Sequence, residues 1–301
     1  MNHDFEPTLR WRCACCAPDA APASPARRLF GAGLLAGGLA AAVPALGRQG
    51  VDVERSRFTK LVPAETVERS AAQQYAQLKQ EASSKRALAP DNHPQVVRLR
   101  YIAQRIIPHS YPFNERARQW QWEVNLIGSK EVNAFCMPGG KIAFFYGILD
   151  RLKLDDDEVA VIMGHEAGHA LLEHAREQMG KNVATRTGAS LLSALLGLGS
   201  LGDTALSMGA QLLSLKYSRS DETEADLIGI ELAARAGYKP AAGVSLWQKM
   251  GELSKGSAPP GFLSTHPTGP DRIRRIQENL PKVDPLFARA DRPGQRFAPP
   301  A

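Results

Sequence analysis

The sequence predicts an α+β fold that is mainly helical and contains one small β-sheet. Several long segments repeat apolar residues at the 3.6-residue spacing of an amphipathic helix. Between them, residues 120–146 contain short runs in which apolar and polar residues alternate, a pattern typical of strands. The chain has 301 residues, of which 44% are hydrophobic, and this is enough for one domain with a substantial core.

Residues 1–47 are predicted to form an export signal that precedes the domain. Arg27 and Arg28 stand before an apolar run rich in Gly, Ala and Leu at residues 31–43, as in a twin-arginine signal, and small residues suited to cleavage follow. This arrangement predicts a periplasmic protein. The alternative is a membrane anchor through residues 29–46, a stretch that only reaches the lower length limit of a span.

Three of the four cysteines, Cys13, Cys15 and Cys16, lie ahead of the apolar run and would be lost with the signal. We assign this cysteine-containing region no function, because no histidines at a metal-ligand spacing accompany it. The mature chain would keep Cys136 alone, so the sequence predicts no internal disulfide.

The predicted domain covers residues 48–283 and begins with two helices, at residues 66–86 and 94–107. A strand is expected at residues 120–127, where apolar and polar side chains alternate.

A β-hairpin and a long helix follow in the predicted order. Residues 132–135 alternate, a Pro-Gly-Gly turn comes next, and a β-rich run covers residues 142–146. A helix is then expected over residues 155–179, beginning at a capping box formed by Asp155 and Glu158.

The second half of the chain has three predicted features. Residues 187–202 carry no charge and are expected to form a helical hairpin packed on the core, with a membrane contact or a mobile lid as alternatives. A further long helix is expected to end at Gly237. The proline-rich residues 284–301 are predicted to be a disordered tail.

A histidine pair on the helix of residues 155–179 points to metal chemistry. His165 and His169 are four residues apart, so their side chains lie within about 40° of each other around the helix axis. Both imidazoles can therefore reach one Zn²⁺ ion. Glu166 lies beside them and is placed to take a proton from water at the metal.

A second helix can supply the third ligand. Glu222 and Asp226 have i, i+4 spacing, so Glu222 can bind the metal while Asp226 accepts a hydrogen bond from the far nitrogen of a ligand histidine. His174 is about 180° from His165 on the same predicted helix, and Glu224 is about 200° from Glu222, so both are expected to point elsewhere. Position 175 is Ala, which excludes the metzincin class of peptidases.

Four motifs along the chain read N-A-F-C-M-P-G-G at residues 133–140, G-H-E-A-G-H-A at 164–170, Y-S-R-S-D-E-T-E-A-D at 217–226, and S-T-H-P at 264–267 followed by Arg272 and Ile273. In this order they resemble the HtpX/BepA/LoiP-type zinc metallopeptidases, which are gluzincins related to the CAAX prenyl endopeptidases. The resemblance spans about residues 95–282, most of the predicted domain.

The resemblance implies a mainly helical zincin-type metallopeptidase domain whose small sheet has an edge strand flanking the active-site cleft. It implies one Zn²⁺ per chain, Glu166 as general base and Asp226 as the support of a ligand histidine. The implied zinc ligands are His165, His169 and Glu222. The implied substrate-binding residues are Asn133, Ala134 and Phe135, which would bind a substrate backbone by strand addition.

Three further residues belong to these motifs. For His266 three roles stay open: a donor to the oxyanion in catalysis, a ligand that fills the open position of the zinc and inhibits, or a loop cap without chemistry. Arg272 is interpreted as structural. Cys136 stands where the family usually has a small apolar residue, and we expect it to act as a small buried hydrophobe.

The function implied by the resemblance is that of a zinc-dependent endopeptidase of the cell envelope. It would hydrolyse misfolded or misassembled envelope proteins with a zinc-activated water and a glutamate general base. The alternative is a non-proteolytic chaperone or assembly factor for unfolded envelope proteins that uses the same cleft. The oligomeric state stays open, and no tetratricopeptide repeat follows the domain.

The net charge of +6 is spread along the chain without a basic stripe interleaved with aromatic residues. The composition therefore does not support nucleic-acid binding, whereas a peripheral contact with an anionic membrane surface is compatible with it.

Overall fold

The structure is a computed structural model, and it describes residues 49–53, 56–184, 212, 215–255, 261–267 and 271–300. The predicted export signal at residues 1–47, the alternative anchor at residues 29–46 and the uncharged segment at residues 187–202 lie outside the described residues.

Two helices precede the sheet, as the sequence predicts. Helix α1 covers Ala64–Ser84 and helix α2 covers Pro94–Ile106. The ring of His93 caps α2 by accepting a hydrogen bond from the backbone N–H of Gln95 at 3.2 Å, and proline occupies the first helical position, where its missing N–H costs nothing.

The sheet has three strands in the order β1-β3-β2. Strand β1 covers Glu123–Ile127 and pairs in parallel with β3, which covers Lys141–Phe145. Strand β2 covers Ala134–Met137 and pairs antiparallel with β3, so the predicted hairpin is confirmed. Its turn uses Gly139 and Gly140 at φ 84° and 77°, a region that favours glycine.

The sheet lies between two apolar clusters. On β3, Ile142 and Phe144 belong to the cluster that contains α2, whereas Ala143 belongs to the cluster that contains α1. This alternation follows from the period of two in a strand, which sends successive side chains to opposite faces. Tyr75 of α1 ties the helix to the sheet by donating its hydroxyl hydrogen to the backbone oxygen of Ile142.

A short helix α3, Tyr146–Leu152, leads into α4, Asp156–Leu171. The predicted capping box is present: Asp155 accepts from the N–H of Glu158 at 2.8 Å, and Glu158 accepts from the N–H of Asp155 at 3.0 Å. Every residue of α4 is buried, so this helix runs through the core of the domain.

The prediction of one helix over residues 155–179 is wrong, because the chain breaks after Leu171. Glu173 takes a left-handed conformation with φ 61°, and a new helix, α5, covers His174–Ala184. The side-chain amide of Asn114 donates to the backbone oxygen of Leu171 at 3.0 Å, which satisfies a carbonyl that the broken helix leaves open.

Four further helices follow: α6 at Arg219–Arg235, α7 at Ala242–Ser254, α8 at Gly261–Thr265 and α9 at Asp271–Arg289. Helix α6 packs closely along α4. At their crossing, a Cβ atom on Gly229 would lie 2.9 Å from the backbone nitrogen of His165, and one on Gly164 would lie 2.9 Å from the backbone oxygen of Gly229. Only glycines allow this approach.

The predicted disordered tail at residues 284–301 is wrong for its described part, residues 284–300. Helix α9 continues to Arg289 with both of its prolines exposed, because Val283 and Leu286 are buried against the core. Beyond the helix, the backbone N–H of Phe297 donates to Asp156 at 2.8 Å and the guanidinium of Arg296 binds Asp157 at 2.8 Å. Packed structure therefore extends past the expected boundary at residue 283.

In the part of the chain that the structure describes, we find no helix with the length and apolar character needed to cross a membrane.

Candidate metal centre

Four buried side chains converge between α4, α6 and the end of α8: His165, His169, Glu222 and His266. One nitrogen or oxygen atom of each lies within 4.8 Å of the others. The Nε2 atoms of His165 and His169 are 3.2 Å apart, and Glu222 lies 3.7 Å from the first through its Oε2 atom and 3.6 Å from the second through its Oε1 atom. Tetrahedral zinc with bonds of about 2.0–2.2 Å needs ligand atoms about 3.3–3.6 Å apart, so this set fits the ion.

His266 belongs to the same cluster. Its Nδ1 atom lies 3.4 Å from Nε2 of His165 and 3.0 Å from Oε1 of Glu222. The ring stacks on Phe262 with centroids 4.4 Å apart, which holds it at this position. The structure therefore places His266 among the donors themselves.

Oε1 of Glu166 has no hydrogen-bond partner among the described residues, whereas Oε2 of Glu222 is ion-paired with Nη1 of Arg272 at 2.7 Å. Leaving a buried acceptor unsatisfied costs about 1–3 kcal/mol, and more when the group is charged. Buried carboxylates aimed at one point are expected where a cation completes the site, which is the second observation that fits a metal.

Glu166 faces the same space as the donors. Its Oε1 atom is 4.0 Å from Nε2 of His165 and 3.7 Å from Nε2 of His266. Burial raises the pKa of Glu166 and the charge of Glu222 raises it further, while His266 and His165 act in the opposite direction. A raised pKa makes a carboxylate a better proton acceptor, which suits a general base.

Asp226 fixes one ligand histidine. Its Oδ1 atom accepts from Nδ1–H of His165 at 3.0 Å, which leaves Nε2 free to face the donor cluster. Burial would raise the pKa of Asp226, but the charge and hydrogen bonds of Arg272 and His165 outweigh it and lower the pKa to about 2. Asp226 therefore stays ionised at physiological pH.

Arg272 joins the two carboxylates of α6. It donates from Nε and Nη2 to Asp226 at 2.7 and 2.8 Å, and its Nη1 atom forms an ion pair with Glu222 at 2.7 Å. The guanidinium also stacks 3.5 Å over the ring of Trp247. Arg272 therefore contacts both of these carboxylates of the candidate centre and helps to hold them in place.

A cavity of about 270 Å³ opens beside these residues. The residues of β2 line one side, together with the preceding Asn133, and Glu166 and His266 also line it. Apolar side chains, among them Leu78, Phe145 and Leu215, complete the lining. A larger cavity of about 770 Å³ elsewhere is lined by Arg105, Arg235 and Arg289 and contains none of the metal donors.

Comparison with known sequences now places the chain in a family. The family model described as peptidase family M48 matches residues 97–280. The chain belongs to peptidase family M48. The matched range includes the whole donor cluster and the three-stranded sheet.

Among M48 relatives, the chain is 40% identical to the mitochondrial metalloendopeptidase OMA1 of Arabidopsis thaliana over 52% of this chain and 31% of that protein. It is 35% identical to OMA1 of Schizosaccharomyces pombe over 65% of this chain and 56% of that protein. It is 30% identical to metalloprotease LoiP of Escherichia coli over 67% of this chain and 77% of that protein. The first two alignments thus span less than two thirds of those relatives.

Two residues beside the candidate centre were not predicted from the sequence. His174 and Glu224 were expected to point elsewhere, but Nδ1 of His174 lies 2.9 Å from Nδ1 of His169, and Nε2 of His174 lies 3.2 Å from Oε2 of Glu224. The predicted angle of about 180° between His165 and His174 holds only for an unbroken helix. The left-handed turn at Glu173 breaks that helix, so the angle does not apply. The periodic pattern carries no signal for such a break.

Proposed function

We propose that this M48 protein is a zinc-dependent endopeptidase in which His165, His169 and Glu222 hold the metal. The observation that carries the proposal is the spacing of these donors, 3.2–3.7 Å between ligand atoms, with an unsatisfied carboxylate oxygen of Glu166 beside them. The donor set of two imidazoles and one carboxylate suits catalytic zinc.

When bound, zinc polarises the scissile carbonyl and lowers the pKa of the attacking water. Glu166 accepts the proton of that water and later delivers it to the leaving amine. Asp226 holds His165 in the tautomer that presents Nε2 to the donor cluster. The burial of all these groups keeps bulk water away from the proton transfers.

The substrate backbone is proposed to add to the outer edge of β2. The backbone oxygen of Asn133 accepts from Phe145 on β3 at 3.0 Å. In an antiparallel ladder, the backbone N–H and C=O groups of successive residues point alternately toward and away from the neighbouring strand. The backbone groups of Ala134 and Cys136 therefore face away from β3. A substrate strand can pair with these two residues while the side chains of Asn133 and Phe135 contribute to the cavity wall.

We further propose that the substrates are misfolded or misassembled envelope polypeptides in the periplasm. Two facts support this: the signal-like residues 1–47, and the similarity to the beta-barrel assembly-enhancing protease of Yersinia pestis, which is 28% identical over 53% of this chain. Cell fractionation of the full chain and of a chain lacking residues 1–47 tests the location. Equal distribution of the two chains would contradict export, and a membrane-bound chain that keeps its N-terminal residues would favour the anchor at residues 29–46.

The catalytic proposal is tested by Glu166→Gln. We expect this variant to bind one zinc ion per chain and to lose casein cleavage by about 10²–10⁴-fold, because it lacks the general base. The exposed Glu252→Gln is the matched control and should cleave casein at the normal rate. Retained cleavage by Glu166→Gln would remove Glu166 from the mechanism. A zinc-loaded wild type without peptidase activity would instead favour the chaperone alternative.

A further inference from the structure

The two ligand histidines of the candidate centre are held differently. His165 donates from Nδ1 directly to the carboxylate of Asp226 at 3.0 Å. His169 has no carboxylate at that position; its Nδ1 atom faces Nδ1 of His174 at 2.9 Å, and the other nitrogen of His174 faces Glu224 at 3.2 Å. A second histidine thus stands between the ligand and its carboxylate.

We propose that His174 and Glu224 are positioning residues that orient His169 for metal binding through a two-step hydrogen-bond relay. The inference rests on the proposed zinc function. It assigns a role to two residues that lie outside the H-E-x-x-H pair and its third ligand.

The position of the proton on each ring fixes which nitrogen donates and which accepts in the relay. When Nε2 of His169 binds a metal, the neutral ring carries its proton on Nδ1, which must donate to the unprotonated Nδ1 of His174. The proton of His174 is then on Nε2, where it donates to Oε2 of Glu224. Each hydrogen bond has one donor and one acceptor in this arrangement, and a doubly protonated His174 would set two N–H groups against each other.

The surroundings hold this chain of contacts in place. His174 is buried, with 1% of its surface exposed, and Tyr217 stacks on the ring of His169 with centroids 3.9 Å apart. The hydroxyl of Ser220 donates to the other carboxylate oxygen of Glu224 at 3.2 Å. The left-handed turn at Glu173 is what brings His174 back toward the cluster.

The relay is tested by zinc affinity in a competition titration with a chromophoric chelator. We expect His174→Ala and Glu224→Ala to weaken zinc binding by about 10–100-fold, as is usual for residues that support metal ligands. His174→Asn keeps an acceptor near the position of Nδ1 and should recover most of the affinity lost in His174→Ala. The exposed Glu252→Ala is the control and should bind zinc as the wild type does.

A second measurement tests the relay in the wild-type protein. Nitrogen-15 NMR of the zinc-loaded protein distinguishes the two imidazole tautomers, and we expect His169 to carry its proton on Nδ1 and His174 on Nε2. This readout stays valid if His174→Ala fails to fold.

Three results would overturn the relay: a proton on Nδ1 of His174, equal zinc affinity in Glu224→Ala and wild type, or equal losses in His174→Asn and His174→Ala. None of these results would contradict the peptidase proposal. That proposal fails if the wild type binds no zinc or if Glu166→Gln stays active.

Discussion

The buried side chains of the candidate centre carry more negative than positive charge when its histidines are neutral. Three buried carboxylates, those of Glu166, Glu222 and Asp226, face one buried guanidinium, that of Arg272. With neutral histidines these four groups carry a formal charge of −2, which a divalent ion cancels. Burying uncompensated charge costs several kcal/mol per ion, so this imbalance favours metal binding over an empty cluster of ion pairs.

The position of His266 leads to a prediction. Because its Nδ1 atom is spaced like a metal ligand from His165 and Glu222, we expect His266→Ala to lower zinc affinity and to raise the rate of casein cleavage. Unchanged affinity with a lower kcat would contradict this and would support His266 as the oxyanion donor. Phe262→Leu, which removes the ring stacked on His266, should show a weaker effect of the same sign.

Cys136 is expected to be chemically inert in the native protein. Burial raises the pKa of its thiol well above the usual range, and the nearby charge of Glu166 raises it further. Since the thiolate is the reactive form, a thiol reagent at pH 7.5 should label Cys136 slowly in the folded protein and quickly after denaturation. A chain with Cys13, Cys15 and Cys16 replaced by Ser isolates this signal. Fast labelling of the folded chain would show that the cavity exposes the sulfur.

Among single residues, the sequence predicted four members of the candidate centre, because ligand spacing on a helix is a geometric constraint visible in the sequence. His165, His169, Glu222 and Asp226 all follow from i, i+4 spacing. His174 could not be predicted in the same way, because its place depends on the backbone angle of Glu173. Arg272 was seen in a motif, but its contact with both carboxylates depends on how α9 packs against α6.

At the scale of helices, the crossing of α4 and α6 positions the ligands. His165 follows Gly164 directly, and Gly229 lies on the helix that carries Glu222. The two glycines allow the backbones to touch, so the spacing between the histidines and the glutamate is set by contact between the helices.

Gly229→Ala is expected to disturb both stability and metal binding. The added methyl group would lie 2.9 Å from a backbone nitrogen of α4, and overpacking of this kind costs about 1–3 kcal/mol. A lower melting temperature and weaker zinc binding should result. Gly251→Ala in α7 is the control, because nothing lies within 4 Å of its added Cβ, and it should be neutral or stabilising. Equal melting temperatures for the two variants would disprove the role of the crossing.

The helices themselves were well predicted where caps and periodicity agree, as at the capping box of Asp155 and Glu158. The end of helix α9 was not, because the prolines of residues 284–301 suggested disorder, while the buried face formed by Ile276, Val283 and Leu286 decides the structure. Amino-acid composition indicates which local conformation a segment prefers, and packing of apolar side chains against the core can override that preference.

At the scale of the whole molecule, the metal donors join distant parts of the chain. His165 and His266 are 101 positions apart, and Glu222 and His266 are 44 positions apart. An ion that binds the folded donor cluster and not the unfolded chain stabilises the fold, by about 2.7 kcal/mol at a free concentration 100 times the Kd.

Removal of zinc should therefore lower the melting temperature of the wild type by several degrees. Glu222→Ala should contain less zinc than the wild type, and chelator should change its melting temperature much less. Calorimetry with and without chelator checks both statements. A wild-type melting temperature that does not respond to chelator, with zinc removal verified by elemental analysis, would show that the ion contributes nothing to the fold.

The contact between Gly164 and Gly229 has a consequence for the size of ion that the site accepts. Zinc–nitrogen bonds measure about 2.0–2.1 Å, whereas calcium–oxygen bonds measure about 2.3–2.6 Å. The two bond lengths differ by a few tenths of an ångström, which is similar to the movement that a methyl group 2.9 Å from a backbone atom would force between α4 and α6. The two glycines, which do not touch the ion, thus help to set the donor spacing that an ion would meet.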